Sequence, residues 1–572
     1  MLCKGSDYIV QCLIQLGITD VFGYPGGMVT HFMDSLQRYD KEISAHLLYH
    51  EQAVAFAACG YAQTTGKVGV AYATSGPGAT NLITGICHAY FDSIPVLFLT
   101  GQVNTFESNA AYGMRQRGFQ ETDIVSMVQP VVKYAAYVSS VDELKRELPK
   151  AVSIALDGRK GPVLLDIPMD VQRTVFDPDL IPLSQPKSTA PSSCDLDSML
   201  TNALQSAQRP CILIGQGVYS AMQKQETRIL LDYLQIPIVT SMLAFDIAPD
   251  DLPIGRLNFG FIGAYGDRCA NFVVAKSDLV ITLGARLDVR QVGAKRNSFA
   301  PNATILRIDI DEKELDYPIH ENDINCKISI SDAIAQMKRI NFAADHFEPW
   351  VAVCHQIKEK LCSEPLSQPL SLLTQISKKA PPDCIVTGDV GQNQVWIAQA
   401  FAAQSGQHFL IPGGHSSMGC SLPVAIGAFW GSRRTVLSIT GDGGMQMNIQ
   451  ELQAVFRDQL PVKIIVLNNQ ALGMIRHFQE MYFQQSYVQT VSPNGYSAPD
   501  FCAIASAYGL RARKVATPEE IESINLSDGV PELIEVVLIG DTYVFPKLEF
   551  GKPNQDQEPL IDRSLYDELM SL

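Results

Sequence analysis

The chain has 572 residues, which is too long for a single hydrophobic core and predicts about three domains. Its formal net charge of −16 makes nucleic acid and anionic membranes poor partners. No apolar run approaches the roughly 20 residues needed to span a bilayer, and the 13 cysteines are scattered without metal-ligand spacing. We therefore expect a cytoplasmic α/β enzyme whose cysteines are small core residues in a reducing compartment.

Residues 1–175 are predicted to form the first α/β domain, because short apolar runs alternate there with helical segments. The predicted strands are Ile18–Phe22, Val68–Ala73, Ile94–Thr100 and Gly161–Asp166. Glu51 stands at the start of an Ala-rich helix. Two loops, at residues 23–27 and 74–81, contain glycines that would let the backbone approach a ligand closely.

Two linkers divide the rest of the chain. Residues 176–198 are rich in Pro and Ser and are predicted to be the first linker, which precedes a second α/β domain at 199–345. The predicted strands of this domain are Cys211–Ile214, Ile236–Thr240, Leu279–Leu283 and Thr304–Ile310. A linker helix at 346–369 leads to the third domain at 370–545. Residues 546–572 are predicted to be a C-terminal arm, which either covers the active site or is a solvated tail.

The third domain contains the pattern on which the functional interpretation depends. It consists of a strand, a helix and a strand, predicted at Thr435–Thr440, Asn448–Asp458 and Val462–Leu467. Both strands then end at the same edge of a parallel sheet, which brings Asp442 and Asn469 together as oxygen ligands for a hard cation. Gly443 and Gly444 leave backbone N–H groups at a helix start, which can bind phosphate. The pattern predicts a Mg²⁺-bound diphosphate.

This pattern, GDG at residues 441–443 followed by a spacer and two asparagines, resembles the signature of thiamine diphosphate (ThDP) enzymes. The segments GYPGG, TSGPGATN and GFQE occur in the order and at the approximate intervals of the acetohydroxyacid synthase branch of that family, and the resemblance covers nearly the whole chain. It implies an α/β fold of three doubly wound parallel-sheet domains: a pyrimidine-binding domain, a central domain of the flavin-binding type, and a diphosphate-binding domain. It also implies a homodimer or homotetramer with active sites at the subunit interface.

The resemblance further implies roles for individual residues. Glu51 matches the glutamate that hydrogen-bonds the aminopyrimidine ring of ThDP, while Gly27 and Gln120 match positions beside the reacting carbon. The implied metal ligands are Asp442, Asn469 and the backbone carbonyl of Ala471. The implied ThDP contacts are Val390, Gly391, Gln392, Asn393, Ser416, Met418, Gly441, Gly443, Gly444 and Met474.

For the central domain, the resemblance implies a bound FAD that is structural rather than redox-active in turnover. The implied FAD contacts are Gly215, Gly217, Gly263, Gly284, Arg286, Asp288, Arg290 and Asp309. Gly215 and Gly217 alone are a weak indication, because the full dinucleotide-binding fingerprint is absent. The alternative is a central domain that no longer binds flavin.

Departures from the acetohydroxyacid synthase pattern bear on the acceptor substrate. Phe478 stands where the family has a tryptophan, and Met169 stands where it has a lysine. The two changes remove a cation and leave space, which weakens the case for a second 2-ketoacid as acceptor. The implied substrate pocket consists of Phe119, Met169, Met28, Ile475 and Phe478.

We therefore expect a carboligase that decarboxylates pyruvate and transfers the two-carbon unit to the ketone of a nucleotide-activated deoxy-ketosugar. This expectation follows the resemblance to family members that make branched-chain sugars of the yersiniose type for surface polysaccharides. The alternative is the catalytic subunit of an acetolactate synthase, which joins two pyruvates. A catalytically silent homologue is disfavoured because Glu51, Asp442 and Asn469 are present. A nicotinamide dehydrogenase is disfavoured because no GxGxxG with an acidic partner occurs.

Overall fold

The computed structural model describes residues 2–109, 112–178, 194–340, 346–361, 366–492 and 494–572. Most of the predicted linker at 176–198 therefore lies outside the described residues. In the described part, no helix is long and apolar enough to cross a membrane.

Three six-stranded sheets, one in each third of the chain, form the framework of the protein, and all their strand pairs are parallel. In spatial order, the first sheet contains Ser44–Leu47, Asp20–Gly23, Gly69–Ala73, Val96–Gln102, Val163–Pro168 and Tyr134–Tyr137. The second contains Asn258–Phe261, Ile238–Thr240, Pro210–Ile214, Leu279–Leu283, Thr304–Asp309 and Ile324–Lys327. The third contains His408–Leu410, Ile385–Thr387, Val436–Gly441, Val462–Asn468, Glu532–Val537 and Arg511–Val515. The predicted fold class is confirmed.

Helices cover the sheets, which explains why the inner strands are continuous apolar runs instead of alternating ones. In the first third these are Gly5–Gln15, Thr30–Arg38, Glu51–Thr65, Pro77–Asn81, Ile83–Phe91, Ile124–Val128, Val141–Leu156 and Met169–Arg173. In the middle they are Leu196–Ser206, Gly217–Ser220, Lys224–Leu234, Arg268–Lys276, Val289–Val292, Glu312–Asp316, Ile330–Met337 and Glu348–Leu361. In the last third they are Gln368–Lys379, Gln392–Ala400, Ser421–Ser432, Asp442–Met447, Leu452–Arg457, Gly473–Tyr482, Phe501–Ala507, Pro518–Glu522 and Arg563–Ser571.

The helix Glu51–Thr65 of the first domain packs against the helix Ser421–Ser432 of the third. The helices touch backbone to backbone. A Cβ atom on Gly427 would lie 1.8 Å from the carbonyl oxygen of Ala57, and one on Gly60 would lie 2.2 Å from that of Val424. Because only glycine permits this approach, the helix that begins at Glu51 has a fixed position relative to the third domain.

The C-terminal arm, residues 546–572, lies on the central domain and is not a solvated tail. The Leu548 N–H donates to the Ala264 carbonyl at 2.7 Å, and the buried Gln557 side chain donates to the Gly266 carbonyl at 3.0 Å. Leu569, in the final helix, is fully buried among residues of the central domain. The arm therefore ties the end of the chain to loops around Ala264.

The cysteines differ from the prediction at one pair. Cys194 and Cys326 form a disulfide across 132 residues of sequence, whereas ten other cysteines of the described part are not in a disulfide. Cys362 lies outside the described residues. No sequence spacing indicated this pair, because the two cysteines meet only when the strand Ile324–Lys327 reaches the edge of the central sheet.

Candidate functional site

Glu51 is the first residue of its helix, and its side chain is half-buried. The ring of His50 caps this helix, because its Nδ1 accepts the Gln52 N–H at 3.0 Å. The Asn81 amide donates to Oε2 of Glu51 at 3.0 Å, which orients the carboxylate. A Cβ on Gly78 would lie 3.2 Å from Oε1, so the loop at 74–81 approaches Glu51 because it contains glycine.

The other predicted residues of the first domain gather around the same loop. Gln120 has a left-handed backbone with φ of 63°, and a Cβ on Gly76 would lie 3.0 Å from Gln120. The Met28 N–H donates to the Thr74 hydroxyl at 3.2 Å, which places the exposed Gly27 beside the loop as well. The structure thus brings loops from three predicted segments together at the carboxyl edge of the first sheet, where α/β folds bind ligands.

In the third domain, Asp442 begins the short helix Asp442–Met447 directly after the strand that ends at Gly441. Its side chain is 3% exposed, and Oδ2 has no hydrogen-bond partner among the described residues. Burial raises the pKa of Asp442 to about 6, although the backbone N–H of Gly443 opposes the shift. A buried carboxylate oxygen without a partner fits a cation ligand.

Asn469 and Ala471 complete the predicted set of metal ligands. The Asn469 amide nitrogen donates to Gln392 at 2.9 Å and to the Thr542 hydroxyl at 2.8 Å, which fixes the plane of the amide. Its Oδ1 accepts the Ala471 N–H at 3.2 Å, and Ala471 N–H also lies at the Asp442 carboxylate, where it lowers the pKa. The three positions therefore converge, and their oxygen donors suit Mg²⁺.

Asp389, which the sequence interpretation missed, organises the loop of residues 390–393. Its carboxylate accepts the N–H groups of Val390 at 2.9 Å and Gly419 at 2.9 Å, and burial raises its pKa to about 6. The buried Asn393 side chain bonds the Asp389 N–H and the Val390 carbonyl, both at 3.0 Å. Asn393 therefore braces the loop from inside. The Gly-Asp pair after a strand, as at Gly441, was the available signal for Asp389.

Several predicted ThDP contacts surround the turn at Gly443. A Cβ on Gly443 would lie 2.7 Å from the Met418 side chain, and a Cβ on Gly444 would lie 2.9 Å from the Asp389 carboxyl carbon. Ser416 has a φ of 53° and donates to the Gly413 carbonyl at 3.0 Å. These contacts leave no room for a side chain at Gly443 or Gly444, and the Met418 side chain lies against Gly443.

Three of the five predicted substrate-pocket residues are exposed apolar side chains, whereas Met28 and Met169 are half-buried. Phe119 is 79% exposed, Ile475 is 54% exposed and Phe478 is 49% exposed. Met169 begins the helix Met169–Arg173, whose Gln172 side chain donates to the Met28 carbonyl at 2.8 Å. Met474 is half-buried on the helix that carries Ile475 and Phe478.

A cavity of about 730 Å³ lies at the carboxyl edge of the central sheet and extends to residues of both other domains. Seven of the eight predicted FAD contacts line it: Gly215, Gly217, Gly284, Arg286, Asp288, Arg290 and Asp309. Gly263 is the exception, because the Arg290 carbonyl lies 2.4 Å from its Cβ position and closes the space. Its neighbours Ile262 and Ala264 do line the cavity.

One end of the cavity is charged. Arg159, from the first domain, forms ion pairs with Asp311 at 2.9 Å and with Glu314 at 2.8 Å, and Arg286 lies 3.3 Å from Glu314. Burial raises the pKa of Asp309 at this end. The volume, the glycine-lined floor and the acidic strand end fit a dinucleotide such as FAD. Sequence analysis missed Arg159 because it belongs to another domain.

Family models match all three domains. The thiamine pyrophosphate enzyme N-terminal TPP binding domain matches residues 3–127, the central domain matches 198–337, and the C-terminal TPP binding domain matches 389–535. Thiamine pyrophosphate is another name for ThDP. The predicted glutamate lies in the first matched range and the predicted metal ligands lie in the third.

Relatives resemble the chain over its whole length. The large subunit of Escherichia coli acetolactate synthase isozyme 2 is 36% identical over 97% of this chain and 99% of the relative. The large subunit of isozyme 1 from the same organism is 35% identical over 96% and 97%. The acetolactate synthase large subunit of Lactococcus lactis is 32% identical over 96% and 95%. ThDP is the cofactor of such enzymes, and Mg²⁺ and FAD are typical of acetolactate synthases. The chain therefore belongs to the acetolactate-synthase-like family of thiamine-diphosphate-dependent enzymes.

Proposed function

We propose that this protein is an acetolactate synthase, which joins two pyruvates and releases one CO₂. In this reaction the first pyruvate loses its carboxyl carbon, and the carbonyl carbon of the remaining two-carbon unit bonds to C2 of the second pyruvate. One proton is taken up, and the acceptor ketone becomes a tertiary alcohol. The observation that carries the proposal is similarity to acetolactate synthase large subunits over nearly the full length of both chains.

ThDP, when bound, supplies a carbon nucleophile and an electron sink for decarboxylation. Glu51 would share a proton with a ring nitrogen of the cofactor through Oε1, because Oε2 already accepts the Asn81 amide. A carboxylate held in one orientation is ready for this proton without reorganisation. Gln120 and backbone donors near Gly27 would stabilise the negative charge that develops on the substrate oxygen.

Asp442, Asn469 and the Ala471 carbonyl would hold Mg²⁺, which in turn binds the diphosphate. The unpartnered Oδ2 of Asp442 supports this assignment, since a buried carboxylate oxygen is costly without a ligand. The N–H groups of Gly443 and Gly444 at the helix start would take diphosphate oxygens. The flavin would occupy the cavity of the central domain, with Asp309 at its adenosine end.

The acceptor is where the sequence interpretation and the relatives differ. Phe478 and Met169 favoured a keto-sugar, but the acetolactate synthase relatives support the alternative of a second pyruvate. Apolar replacements at Phe478 and Met169 do not by themselves exclude a 2-ketoacid as the acceptor. We therefore put the keto-sugar acceptor second.

The acceptor is decided by product analysis. Purified protein with ThDP, Mg²⁺ and pyruvate as the only carbonyl substrate should form acetolactate, measured as acetoin after acid decarboxylation. CO₂ release should match acetolactate one to one. CO₂ release without acetolactate, with coupling restored by an added nucleotide keto-sugar, would contradict the proposal and favour the sugar-directed reaction. The absorbance spectrum of the same preparation reports bound flavin.

A further inference from the structure

A further buried carboxylate, Glu451, lies in the third domain shortly after the helix Asp442–Met447. Its side chain has no exposed surface. Both of its oxygens accept the backbone N–H of Tyr49, at 3.0 and 3.1 Å. Tyr49 is two residues before Glu51, so this carboxylate of the third domain holds the backbone of the first domain at the point where the Glu51 helix begins.

Two neighbours of Glu451 hold the same segment. The Arg457 guanidinium donates to the Leu47 carbonyl at 2.9 Å. The Asn448 amide donates to the Gln52 side chain at 3.3 Å and to the Gly419 carbonyl at 2.8 Å. Residues 47–52 are therefore attached to the third domain on both sides of Tyr49.

Because Glu451 is buried, its hydrogen bond with the Tyr49 N–H contributes to local stability. Burial raises the pKa of Glu451 to about 7, and the Tyr49 N–H is the largest influence opposing the shift. Since a buried carboxylate costs free energy unless it is hydrogen-bonded, the Tyr49 N–H and Glu451 hold each other in place. The remainder of the Glu51 helix cannot slide, because Gly60 and Gly427 interlock it with the helix Ser421–Ser432.

We propose that Glu451 is a positioning residue for Glu51: by fixing the Tyr49 backbone, it sets where the Glu51 carboxylate is presented to the cofactor. The proposal rests on the proposed catalytic role of Glu51. Its consequence is that the domain that binds the diphosphate also determines the position of the proton-sharing carboxylate. Displacement of such a group by about 1 Å can reduce turnover about 10²-fold.

The test compares Glu451→Gln with the wild-type holoenzyme. The amide places an NH₂ group against the Tyr49 N–H, so one hydrogen bond becomes a donor–donor contact. We expect kcat to fall at least about 10-fold with KM for pyruvate unchanged within about twofold, because the change affects orientation and not substrate binding. Amide exchange of the peptide covering residues 47–52, measured by mass spectrometry on the protein without cofactor, should accelerate.

Glu532→Gln is the matched control. Glu532 is also a buried carboxylate of the third domain and is 1% exposed. It is the first residue of the strand Glu532–Val537, so it lies at the amino ends of the strands, opposite the carboxyl ends where the candidate site lies. Its ion pairs with Lys463 and Arg513 make a loss of stability expected. Its kcat and the exchange of residues 47–52 should match wild type.

The double variant Glu51→Gln/Glu451→Gln separates positioning from general damage. If Glu451 acts through Glu51, the double variant loses no more turnover than Glu51→Gln alone. Multiplicative losses, or wild-type kcat in Glu451→Gln while Glu51→Gln is inactive, would overturn the positioning role only. Wild-type turnover of Glu51→Gln would overturn the role of both residues.

If Glu451→Gln does not fold, Arg457→Met replaces it as the test. This variant removes the hydrogen bond to the Leu47 carbonyl and should show smaller changes of the same kind in kcat and in amide exchange.

Discussion

At the scale of single residues, the chain keeps several carboxyl groups in surroundings that oppose ionisation. Asp442 and Asp389 lie at the loops predicted to bind the diphosphate, Glu451 accepts the Tyr49 N–H, and Asp166 accepts the Gln102 amide. All four stand in or after buried segments, where burial raises the pKa. Perturbed carboxyl groups cluster at functional sites more often than elsewhere, and this chain follows that tendency.

Asp166 gives a prediction about pH. It accepts the Thr100 hydroxyl at 2.6 Å and the Gln102 amide at 2.9 Å, yet burial raises its pKa to about 7. The unfolded value is about 3.9, so between about pH 4 and 7 the folded state binds more protons and stability falls as pH rises. Asp166→Asn should remove this pH-dependent loss of stability, because asparagine does not ionise. The melting temperature of the variant minus that of wild type should therefore increase from pH 5 to pH 8.

The control for this prediction is Asp562→Asn. Asp562 is exposed and caps the last helix, and hydrogen bonds lower its pKa, so it does not titrate in this range. Its melting-temperature difference should stay constant between pH 5 and pH 8. A constant difference for Asp166→Asn as well would show that Asp166 has an ordinary pKa.

At the scale of elements, the contact between the helices Glu51–Thr65 and Ser421–Ser432 depends on two glycines. Gly427→Ala would place a methyl group 1.8 Å from the Ala57 carbonyl oxygen, which is backbone and cannot rotate away. We expect a loss of stability of about 1–3 kcal/mol or more, since overpacking separates the helices. Calorimetry should show a lower melting temperature together with a higher Kd for ThDP.

Ser432→Ala, at the end of the same helix, controls for the substitution. It removes the hydroxyl that donates to the Ala428 carbonyl at 2.7 Å and accepts the Arg434 N–H at 3.3 Å, and it adds no atom to the contact. Its effect should stay below about 1 kcal/mol. An equally small effect of Gly427→Ala would mean that the two helices tolerate separation.

The C-terminal arm is a second element with a testable role. Gln557 is fully buried and donates to the Gly263 carbonyl at 3.4 Å and to the Gly266 carbonyl at 3.0 Å. Gln557→Ala removes the hydrogen bond to the buried Gly266 carbonyl, whereas the Gly263 carbonyl keeps its bonds from Asn271 and the Gly266 N–H. A buried carbonyl without this bond costs about 1–3 kcal/mol and loosens the cavity wall next to Ala264. We expect less flavin per protein after gel filtration, measured by absorbance.

The surface residue Glu568 is the control for the arm. It pairs with Lys360 at 2.7 Å, and both side chains are exposed. Exposed ion pairs contribute little, so Glu568→Gln should keep the wild-type flavin content and melting temperature. Equal flavin content in Gln557→Ala would show that the arm does not support the cavity.

At the scale of the whole molecule, Glu51 and Asp442 lie on different domains, and both domains have exposed apolar residues, such as Phe119 in the first and Phe478 in the third. We expect a second copy of the chain to cover these residues and to complete each active site with its own Glu51. Glu51→Gln and Asp442→Ala should then each be inactive alone. Mixed and reassociated one to one, they should recover about a quarter of wild-type acetolactate formation, because half of the dimers carry one intact site.

The outcome of mixing distinguishes two arrangements. If Glu51 and Asp442 of one chain served the same cofactor, every site in a mixed dimer would still contain one substitution and no activity would return. Glu51→Gln mixed with Glu51→Gln/Asp442→Ala is the negative control, since no combination of these chains contains an intact site in either arrangement.

Whether a strand could be predicted from the sequence depended on its place in the sheet. In the first two domains the inner strands were predicted, because burial on both faces requires an uninterrupted apolar run. The edge strands were missed, among them Ser44–Leu47 and Tyr134–Tyr137, since these strands are short and partly exposed. An edge strand is held by one neighbour only, so it needs no uninterrupted buried run.

In the candidate site, too, residues within local patterns could be predicted, whereas contacts between distant segments could not. Asp442 could be proposed from local sequence because it follows a strand, and parallel strands deliver their ends to one edge. Glu51 and the flavin residues were proposed from the resemblance to the acetohydroxyacid synthase branch. Glu451, Arg159 and the Cys194–Cys326 disulfide carry no local signal. Their partners come from segments up to 402 residues away, as for Tyr49 and Glu451.

The sequence by itself determined the three parallel-sheet domains, the residue types at the strand ends, and the chemistry these can support, because hydrophobic periodicity and short-range patterns act within a few residues. Only the tertiary structure decided the contacts between domains: the glycine-mediated helix pair, the carboxylate of Glu451 on the Tyr49 N–H, the arm on the central domain, and the cavity shared by three domains. These contacts depend on packing between surfaces that are far apart along the chain, and no local pattern encodes which surfaces meet.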